Sequence, residues 1–392
     1  MVRRFGKKNK VKLDPFSYNS IFLGESGIGK TTLVYNMLKK YVGEEGYLFL
    51  ECGKEDGEEA IEGINAVKVL QWDEVDEDTV DFYASEDVDV GGFEEIIDSI
   101  IENKNELYPD LKVVVIDTYD ELLKIAEPYV IELHNREHPD KRTTSIKAAF
   151  GGFMGGEDKC DEICLNKLWE LKKVGVHFII IGHVKRKDKE DAITGLNYST
   201  ITASMGDRHF NAIKTKAHFC GVCFIDRDIV AQKTGKKNVV TKKEEVRGKI
   251  TGESRKVIFR DDNYSVDSKS RFADITNEKM PLDADSVYEA MVDAIRKEKE
   301  KNGVNIDNAS KEQENQHKKQ EEIIKKRESV NRSAKELSET IAKIKKTMME
   351  HSRDKEFITM CTQSLKDMGY SSFTDINVVE DAKKLLDKIS NI

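Results

Sequence analysis

The chain has 392 residues, of which 38% are hydrophobic and 35% charged, and its formal net charge is −9. This length suits one large domain with an appendage, and the negative charge excludes a globally basic surface, so nucleic-acid binding would need local basic patches. No stretch approaches the roughly 20 apolar residues of a membrane span, and residues 1–16 lack the apolar region of a secretion signal, so we expect a soluble, cytoplasmic protein.

The first motif lies between a predicted strand and a predicted helix. Residues 20–23 are mostly apolar, residues 24–31 read GESGIGKT, and apolar residues recur at helical spacing from Leu33. The pattern is that of a P-loop, whose glycines let backbone N–H groups surround phosphates at a helix N-terminus. It predicts ATP and Mg²⁺ as cofactors, with Lys30 on the β- and γ-phosphates and Thr31 on Mg²⁺. The predicted nucleotide-binding residues are Gly24, Glu25, Ser26, Gly27, Ile28, Gly29, Lys30, Thr31 and Thr32.

From about residue 17 to 280, apolar runs typical of buried strands alternate with amphipathic helical stretches. This alternation predicts an α/β fold with a doubly wound, mostly parallel sheet. The runs near 237–247 and 254–260 contain Gly and Lys and predict antiparallel hairpins at the sheet edge. The predicted core strands are 46–50, 112–117, 177–182 and 219–226, and the predicted helices are 92–107 and 158–174.

Two carboxylates end predicted strands. Asp117 follows the apolar run 113–116, and an acid in this position beside a P-loop can hold Mg²⁺. Glu51 ends the second strand, where RecA-like ATPases carry the glutamate that polarises the attacking water. AAA+ ATPases instead carry their base directly after the metal-binding Asp, and here that residue is Thr118. We therefore predict Glu51 as the general base, with Glu55 as the alternative.

A histidine and two cations are candidates for contact with the terminal phosphate. His183 follows the strand 177–182, where RecA-like ATPases carry a γ-phosphate sensor, and a neutral imidazole can donate one hydrogen bond there; a helix-capping or core histidine is the alternative. Lys269 and Arg271 resemble the Lys-x-Arg finger that ring-forming ATPases extend to a neighbouring subunit. The finger predicts a homo-oligomer, and an exposed basic turn is the alternative. The predicted catalytic residues are thus Lys30, Glu51, His183, Lys269 and Arg271.

The segment 185–216 begins with a basic run and predicts a mobile loop that contacts single-stranded DNA. Cations can follow phosphates while an aromatic ring stacks on a base; a solvated charge run is the alternative. The Gly-rich segment 149–156 predicts a flexible loop near the nucleotide or an interface, and the lysines between 233 and 243 indicate a solvated hairpin. The DNA-binding candidates are Lys185, Arg186, Lys187, Lys189 and Tyr198.

Six cysteines are present, and Cys160/Cys164 and Cys220/Cys223 are the closest pairs. Cys220 and Cys223 lie in a predicted strand, where residues three apart point to opposite faces. This spacing suits a shared metal ion poorly, so we predict reduced, mostly buried thiols in preference to a zinc site.

The composition changes in the last third of the chain. Residues 296–322 are almost wholly charged or amide residues, which predicts a solvated helix or a linker. From residue 323 apolar residues recur at heptad spacing as far as Met348, typical of either a coiled coil or an amphipathic helix packed on its own chain. The predicted domains are a basic leader over 1–16, an ATPase domain over 17–282, a charged helical linker or coiled coil over 283–350 and a small helical domain over 351–392.

The order of these motifs resembles that of phage-encoded RecA-like ATPases, which include the Sak-type single-strand annealing proteins. The segments that carry the resemblance are GESGIGKT, VVVIDT, FGGFMGG, FIIIGHVK and KSRF. The resemblance implies a RecA-like core, ATP with Mg²⁺, single-stranded DNA as a partner, and a role in recombination, annealing or replication in the cytoplasm of an infected bacterium. It assigns Lys30 and Thr31 to phosphate and Mg²⁺, Asp117 to Mg²⁺ and His183 to the sensor. The long C-terminal extension departs from small family members and could mediate oligomerisation or dock a single-strand binding protein.

Three functions are compatible with these features. ATP hydrolysis coupled to single-stranded DNA in annealing or exchange is favoured by the resemblance. A ring helicase or loader-type replication motor is the first alternative, and a nucleotide-gated scaffold with little turnover is the second. Stimulation of hydrolysis by DNA separates the scaffold from the other two, and strand unwinding separates the motor from the annealing protein.

Overall fold

Among the described residues, an eleven-stranded sheet forms the centre of the larger of two units, which comprise residues 1–315 and 316–392. The computed structural model describes residues 6, 11–53, 60–191, 194–237, 244–261, 266–301, 306–351 and 355–390. No helix within these ranges is long and apolar enough to cross a membrane. The strands are β1 (Ser20–Gly24), β2 (Tyr47–Cys52), β3 (Ala66–Gln71), β4 (Val90–Gly92), β5 (Val113–Asp117), β6 (His177–Glu190), β7 (Asn197–Ala203), β8 (Phe219–Lys237), β9 (Glu244–Ile258), β10 (Lys269–Ser270) and β11 (Met280–Pro281). The helices are α1 (Lys30–Tyr41), α2 (Glu77–Ala84), α3 (Phe93–Glu102), α4 (Tyr119–Glu137), α5 (Gly155–Leu171), α6 (Asp207–Lys214), α7 (Ala284–Lys301), α8 (Ile306–Glu350), α9 (Lys355–Asp367) and α10 (Val379–Ser390).

The strand order is β11-β9-β8-β1-β6-β5-β2-β3-β4, with β10 beside β8 and β7 beside β6. The central strands from β8 to β4 pair in parallel, whereas β7, β9, β10 and β11 pair antiparallel with their neighbours. Parallel pairing requires crossover connections, and α1, α3 and α5 supply them. The predicted α/β fold with a mostly parallel sheet and a helical C-terminal region is confirmed.

Two apolar clusters cover the two faces of the sheet. Ile21 and Leu23 of β1 belong to the cluster beneath α3, α4 and α5, and Phe22 belongs to the cluster beneath α1 and α7. The α7 residues Val287 and Met291 are buried in this second cluster. Thus α7, which lies beyond the predicted end of the ATPase domain, packs on the same core; the predicted domain boundaries themselves stay predictions.

Two strands are longer than the apolar runs that predicted them. β6 continues through Glu190 because its second half pairs with β7, and β8 continues through Lys237 because it pairs with β9. The run predicted over 237–247 lies partly outside the described residues, and its described ends belong to β8 and β9. The predicted helix over 92–107 is shorter, since α3 ends at Glu102.

All six cysteines are buried thiols. Cys220 and Cys223 belong to the clusters on opposite faces of the sheet, as their spacing predicts. Burial raises the pKa of both thiols to about 12. Such thiols are protonated at neutral pH and are poor nucleophiles. The prediction of reduced, mostly buried cysteines is confirmed.

Three helices of the smaller unit enclose an apolar cluster of their own. Ile344 of α8 is buried there together with Phe357 of α9 and Leu385 of α10. Leu337 and Met348 of α8 pack against the same cluster. The apolar stripe of α8 therefore packs on its own chain from Leu337 onward, which favours the intramolecular interpretation of the heptad pattern over that length.

Candidate nucleotide-binding site

The P-loop connects β1 to α1 at the carboxyl edge of the parallel strands. Gly27 and Gly29 have φ angles of +72° and +101°, which favour glycine because they strain residues with a Cβ atom. α1 begins at Lys30, directly after Gly29, so the unpaired N–H groups of the helix N-terminus face the loop. The Lys30 side chain is buried, and its Nζ donates to the carbonyl oxygens of Gly24 and Glu25 at 3.2 and 3.0 Å. The loop thus has the backbone shape and the charge of a phosphate-binding cradle.

The first residue of the loop is fixed by the strands on both sides. Gly24 is in register with His183 of β6 and with Cys223 of β8. A Cβ atom at Gly24 would lie 3.0 Å from Cβ of Cys223 and 3.0 Å from Cγ2 of Ile28, closer than side-chain atoms pack without displacement. The turn therefore depends on glycine, and it lies one strand away from the predicted sensor.

The two predicted Mg²⁺ ligands are in contact. Thr31 Oγ1 in α1 donates a hydrogen bond to Asp117 Oδ2 at the end of β5, with 2.6 Å between the atoms. A hydroxyl and a carboxylate are hard oxygen donors of the kind Mg²⁺ prefers, and Mg²⁺ in nucleotide sites is completed by substrate phosphates. The residues fit the ion: Thr31 and Asp117 would hold it, and it would neutralise charge on the phosphates.

Glu51 lies next to this pair. Glu51 of β2 is in register with Asp117 of β5, and both side chains are buried, with exposed fractions of 7% and 5%. Of the side chains that the structure describes, the buried carboxylates are these two and Asp161, which contacts His209. The position of Glu51 suits the predicted general base, and its role stays a prediction. The alternative, Glu55, lies outside the described residues.

Asp120 in the first turn of α4 connects the middle of β6 to the residue that follows β7. Its Oδ2 accepts a hydrogen bond from the backbone N–H of His183 at 2.9 Å, and its Oδ1 accepts one from Ser204 Oγ at 2.7 Å. The imidazole Nδ1 of His183 lies 3.6 Å from Asp120 Oδ2. Burial alone would raise the pKa of Asp120, but the hydrogen bonds from His183 and Ser204 outweigh it and lower that pKa. The helix that follows Asp117 therefore holds His183, the predicted sensor, through a carboxylate whose ionised form these hydrogen bonds favour.

His209, which belongs to a second histidine–carboxylate pair, lines the same cavity as His183. The cavity has a volume of about 820 Å³ and includes Asp120, Lys187 and His209 in its lining. His209 Nδ1 of α6 lies 2.9 Å from Asp161 Oδ1 of α5. The hydrogen bond with Asp161 raises the pKa of His209 despite partial burial, and nearby carboxylates add to the effect.

We expect this second pair to make stability depend on pH. Because the fold raises the pKa of His209 above its ordinary 6.5, the stabilisation is fully present below 6.5 and is lost as pH rises through the raised value. His209→Gln should therefore destabilise the protein more at about pH 6 than at about pH 8.5, by about 1 kcal/mol. Thermal denaturation at both pH values measures this, with the exposed His138→Gln as control. An equal loss at both values would contradict it.

The segment 185–216, predicted to be a mobile DNA-binding loop, consists mainly of the second half of β6, β7 and α6, so the prediction of a loop is wrong. β6 and β7 pair as a hairpin in an unbroken register from Val184/Ala203 to Glu190/Asn197. Alternation along β6 separates the predicted DNA-binding residues. Lys185, Lys187 and Lys189 share one face with Tyr198, which lies opposite Lys189, and Arg186 lies on the other face.

The lysines nearest the base of the hairpin are held by local contacts. Lys185 Nζ donates to the carbonyl oxygen of Ser204 at 2.9 Å, and Lys187 forms an ion pair with Asp207 at the start of α6. Tyr198 is 39% exposed. Lys185 is exposed, whereas Lys187 and Lys189 are half-buried. The outer part of the hairpin therefore presents an accessible aromatic residue beside a partly buried cation.

The Gly-rich segment carries apolar side chains in unusual conformations. Phe153 and Met154 have φ angles of +47° and +71°, in the left-handed region that strains residues with side chains. Phe153 is fully exposed at 100%, and Met154 lines the cavity that contains His183. The segment thus lies beside the predicted sensor; that it is a flexible loop near the nucleotide or an interface stays a prediction, and its two ends belong to helical turns.

The predicted finger lies at the edge of the sheet opposite the P-loop. β10, which contains Lys269, pairs with Phe219 and Cys220 at the amino end of β8, whereas the P-loop follows the carboxyl end of β1. Lys269 Nζ donates to the carbonyl oxygen of Lys214 at 2.6 Å, and Arg271 donates to that of Thr215. Both cations therefore contact the C-terminal end of α6, and the structure does not bring them to the P-loop of their own chain.

One residue near the P-loop carried no sequence signal. Arg255 of β9 donates from Nη1 to the backbone carbonyl of Ile28 at 3.1 Å. It lies far from the P-loop along the chain and belongs to no motif, so only the pairing of β9 with β8 brings it there.

Comparisons with known proteins bear on the family. Among solved structures, the KaiC-like protein PH0186 from the hyperthermophilic archaea Pyrococcus horikoshii OT3 is a distant match at 16% identity and a TM-score of 0.30, covering 68% of this chain and 85% of that chain. No curated protein matches the chain. The family model described as AAA domain matches residues 18–272, which include the P-loop, Glu51, Asp117 and His183. Because this match spans more than half of the chain, the protein belongs to the AAA domain family and is a nucleotide-binding P-loop ATPase.

Proposed function

We propose that this protein binds single-stranded DNA and couples that binding to Mg-ATP hydrolysis, in phage DNA recombination, annealing or replication. The observation that carries the proposal is the continuity of β6. Its residue His183 is in register with the first residue of the P-loop, and the same strand then forms the basic hairpin. A displacement of His183 on nucleotide binding would be transmitted along this strand to the cations of the hairpin.

One face of the hairpin has the chemistry of a single-strand binding surface. Lysines alternate along β6 on this face, and the outermost, Lys189, lies opposite Tyr198. Cations neutralise phosphates in any sequence, and a ring stacked on a base contributes about 1–3 kcal/mol. This combination favours sequence-independent binding of an extended strand.

A second exposed ring belongs to the Gly-rich segment, next to a residue that lines the cavity containing His183. The fully exposed Phe153 leaves an apolar surface in water, which is unfavourable, and stacking on a base would bury that surface. Its neighbour Met154 lines the cavity together with His183 and Lys187. The Gly-rich segment and the hairpin each contribute a residue to the lining of this cavity, and each also carries an exposed ring that could stack on a base.

We also propose a head-to-tail homo-oligomer. Lys269 and Arg271 lie at the edge opposite their own P-loop, which supports a contact with the nucleotide of another copy. This observation also favours the second candidate function, a ring-forming replication motor. A strand-unwinding measurement separates the two, because annealing or exchange needs no processive unwinding.

We expect single-stranded DNA to raise ATP hydrolysis several-fold and Lys30→Ala to abolish hydrolysis with and without DNA, because Lys30 is the phosphate-binding cation of the P-loop. The double variant Lys189→Ala/Tyr198→Ala should weaken DNA binding about tenfold with basal hydrolysis unchanged, because it removes one phosphate contact and one stacked base. Hydrolysis titrated with oligothymidine measures both effects. Lys297→Ala, in an exposed pair with Asp293 on α7, is the matched control.

Wild-type hydrolysis that is indifferent to DNA would overturn the proposal and favour the nucleotide-gated scaffold. Stimulation that survives the double variant would remove the hairpin from the DNA-binding surface. Loss of stimulation in the Lys297→Ala control would show that general surface charge, and not the hairpin face, determines the effect.

A further inference from the structure

An arginine from outside the P-loop motif lies against the loop. Arg255 Nη1 donates to the carbonyl oxygen of Ile28 at 3.1 Å. A Cβ atom built on Gly29 would lie 3.5 Å from the same Nη1 and 3.9 Å from a side-chain atom of Leu282. The guanidinium therefore covers the side of the residue that directly precedes Lys30.

The backbone of Arg255 is fixed, whereas its side chain is exposed. Arg255 is in register with Ile225 of β8, and its carbonyl oxygen accepts a hydrogen bond from the N–H of Leu282 at 3.1 Å. A guanidinium carries five N–H donors. Within the described part of the chain, its side-chain hydrogen bond goes to the carbonyl of Ile28 and no carboxylate forms an ion pair with it. Donors and positive charge thus remain for an anion at the loop.

The strand order decides which end of a nucleotide this charge faces. β8 and β9 lie on one side of β1, and β6 and β5 lie on the other. The predicted sensor His183 and the predicted metal ligand Asp117 belong to β6 and β5, so the terminal phosphate and the metal would occupy that side. Arg255 approaches the loop from the β9 side.

We propose that Arg255 binds the phosphates nearer the nucleoside and sets the affinity for nucleoside diphosphates and triphosphates alike. Phosphate is a ligand that a guanidinium recognises well, because its planar set of donors forms charge-assisted, often bidentate hydrogen bonds with phosphate oxygens. On nucleotide binding, Arg255 would form hydrogen bonds to phosphate oxygens, either in addition to its hydrogen bond with Ile28 or in place of it. The inference deepens the proposed function but rests only on its nucleotide-binding part, and not on DNA.

Calorimetric titration of the full chain with MgADP, and separately with the non-hydrolysable MgAMPPNP, tests this. Arg255→Ala should raise the Kd of both nucleotides about tenfold, the size expected for one charge-assisted phosphate contact. Arg255→Gln keeps a donor for the Ile28 carbonyl but no charge, so it should lose as much affinity as the alanine variant. Arg255→Lys keeps the charge and should lose about threefold.

The matched control is Arg260→Ala. Arg260 is also exposed, and its Nη1 also donates to a backbone carbonyl, that of Ala273 at 3.0 Å. It should bind both nucleotides like the wild type. Unchanged thermal melting of each variant shows that the fold is intact, as expected for an exposed side chain.

Wild-type affinity in Arg255→Ala would overturn the inference. Wild-type affinity in Arg255→Gln would also overturn it, because the side chain would then only support the loop through Ile28. Weakened MgAMPPNP binding with unchanged MgADP binding would contradict a contact with the nearer phosphates. The titrations contain no DNA, so a failure of DNA coupling would leave this result unaffected.

Discussion

Replacing Glu51 with glutamine is expected to lower kcat for ATP hydrolysis by about 10²–10⁴-fold, the usual contribution of a general base. Nucleotide binding should stay within about twofold of the wild type, because the amide preserves the shape of the side chain and only proton acceptance is lost. Single-turnover hydrolysis measures the chemical step, and MgADP titration measures binding.

The structural reason is the arrangement at the carboxyl edge of the sheet. Glu51 and Asp117 end neighbouring parallel strands at the same register position. Asp117 is oriented by the hydrogen bond from Thr31, which suits its predicted role as a Mg²⁺ ligand. Thr118 cannot serve as a carboxylate base, so Glu51 is the buried carboxylate that remains at this edge within the described residues.

The matched control is Glu45→Gln. Glu45 is an exposed glutamate that lies just before β2 begins, whereas Glu51 lies near the end of that strand. The control variant should hydrolyse ATP at the wild-type rate. If Glu51→Gln retained more than about a third of the wild-type kcat, its loss of rate would be smaller than the smallest loss expected for a general base. The base would then have to be another residue, and Glu55 would be the next residue to replace.

Replacing Asp120 with asparagine should lower the DNA-stimulated rate about tenfold and the free energy of unfolding by about 1–3 kcal/mol. The carboxylate accepts hydrogen bonds on both oxygens, from His183 and from Ser204. An amide offers one oxygen and one NH₂ group, so one of these donors must then face another donor. The link between His183, the predicted sensor, and the end of β7 would be broken at one of its two contacts.

Glu121→Gln is the control, since Glu121 lies in the same turn and its carboxylate contacts the exposed Lys124. The effect of Asp120→Asn should be equal at about pH 6 and about pH 8. Because the fold lowers the pKa of Asp120 below 3.8, its contribution is present above 3.8 and is lost only as pH falls through the lowered value. A loss of stability without a change in the ratio of stimulated to basal rates would reduce Asp120 to a purely structural role.

The predicted nucleotide-binding residues could be identified from the sequence, because they either form one contiguous motif or end strands whose order can be predicted. The P-loop is a contiguous motif whose glycines the backbone requires at Gly27 and Gly29. Glu51, Asp117 and His183 each end an apolar run, and the carboxyl ends of parallel strands meet at one edge. Their proximity could therefore be predicted before any coordinates.

The hairpin of β6 and β7 and the contacts of Asp120 and Arg255 could not be predicted in the same way. The second half of β6 is rich in lysine and lacks a buried face, so nothing in its composition distinguishes a strand from a loop; pairing with β7 decides it. In the sequence, Asp120 looks like an ordinary acidic residue in the first turn of a helix. Arg255 reaches the P-loop through strand pairing across a long hairpin, which no short pattern encodes.

The three-helix cluster of the smaller unit limits how copies of the chain can associate. Leu337, Ile344 and Met348 already pack against α9 and α10, so this length of α8 has no spare apolar seam for a parallel partner helix. A helix of a second copy could pack on this surface only by displacing α9 and α10. The exchange that costs the least free energy is reciprocal, because each copy then regains the contacts that it loses. Association through this segment would then be a domain swap, with slow exchange of subunits and no new type of contact.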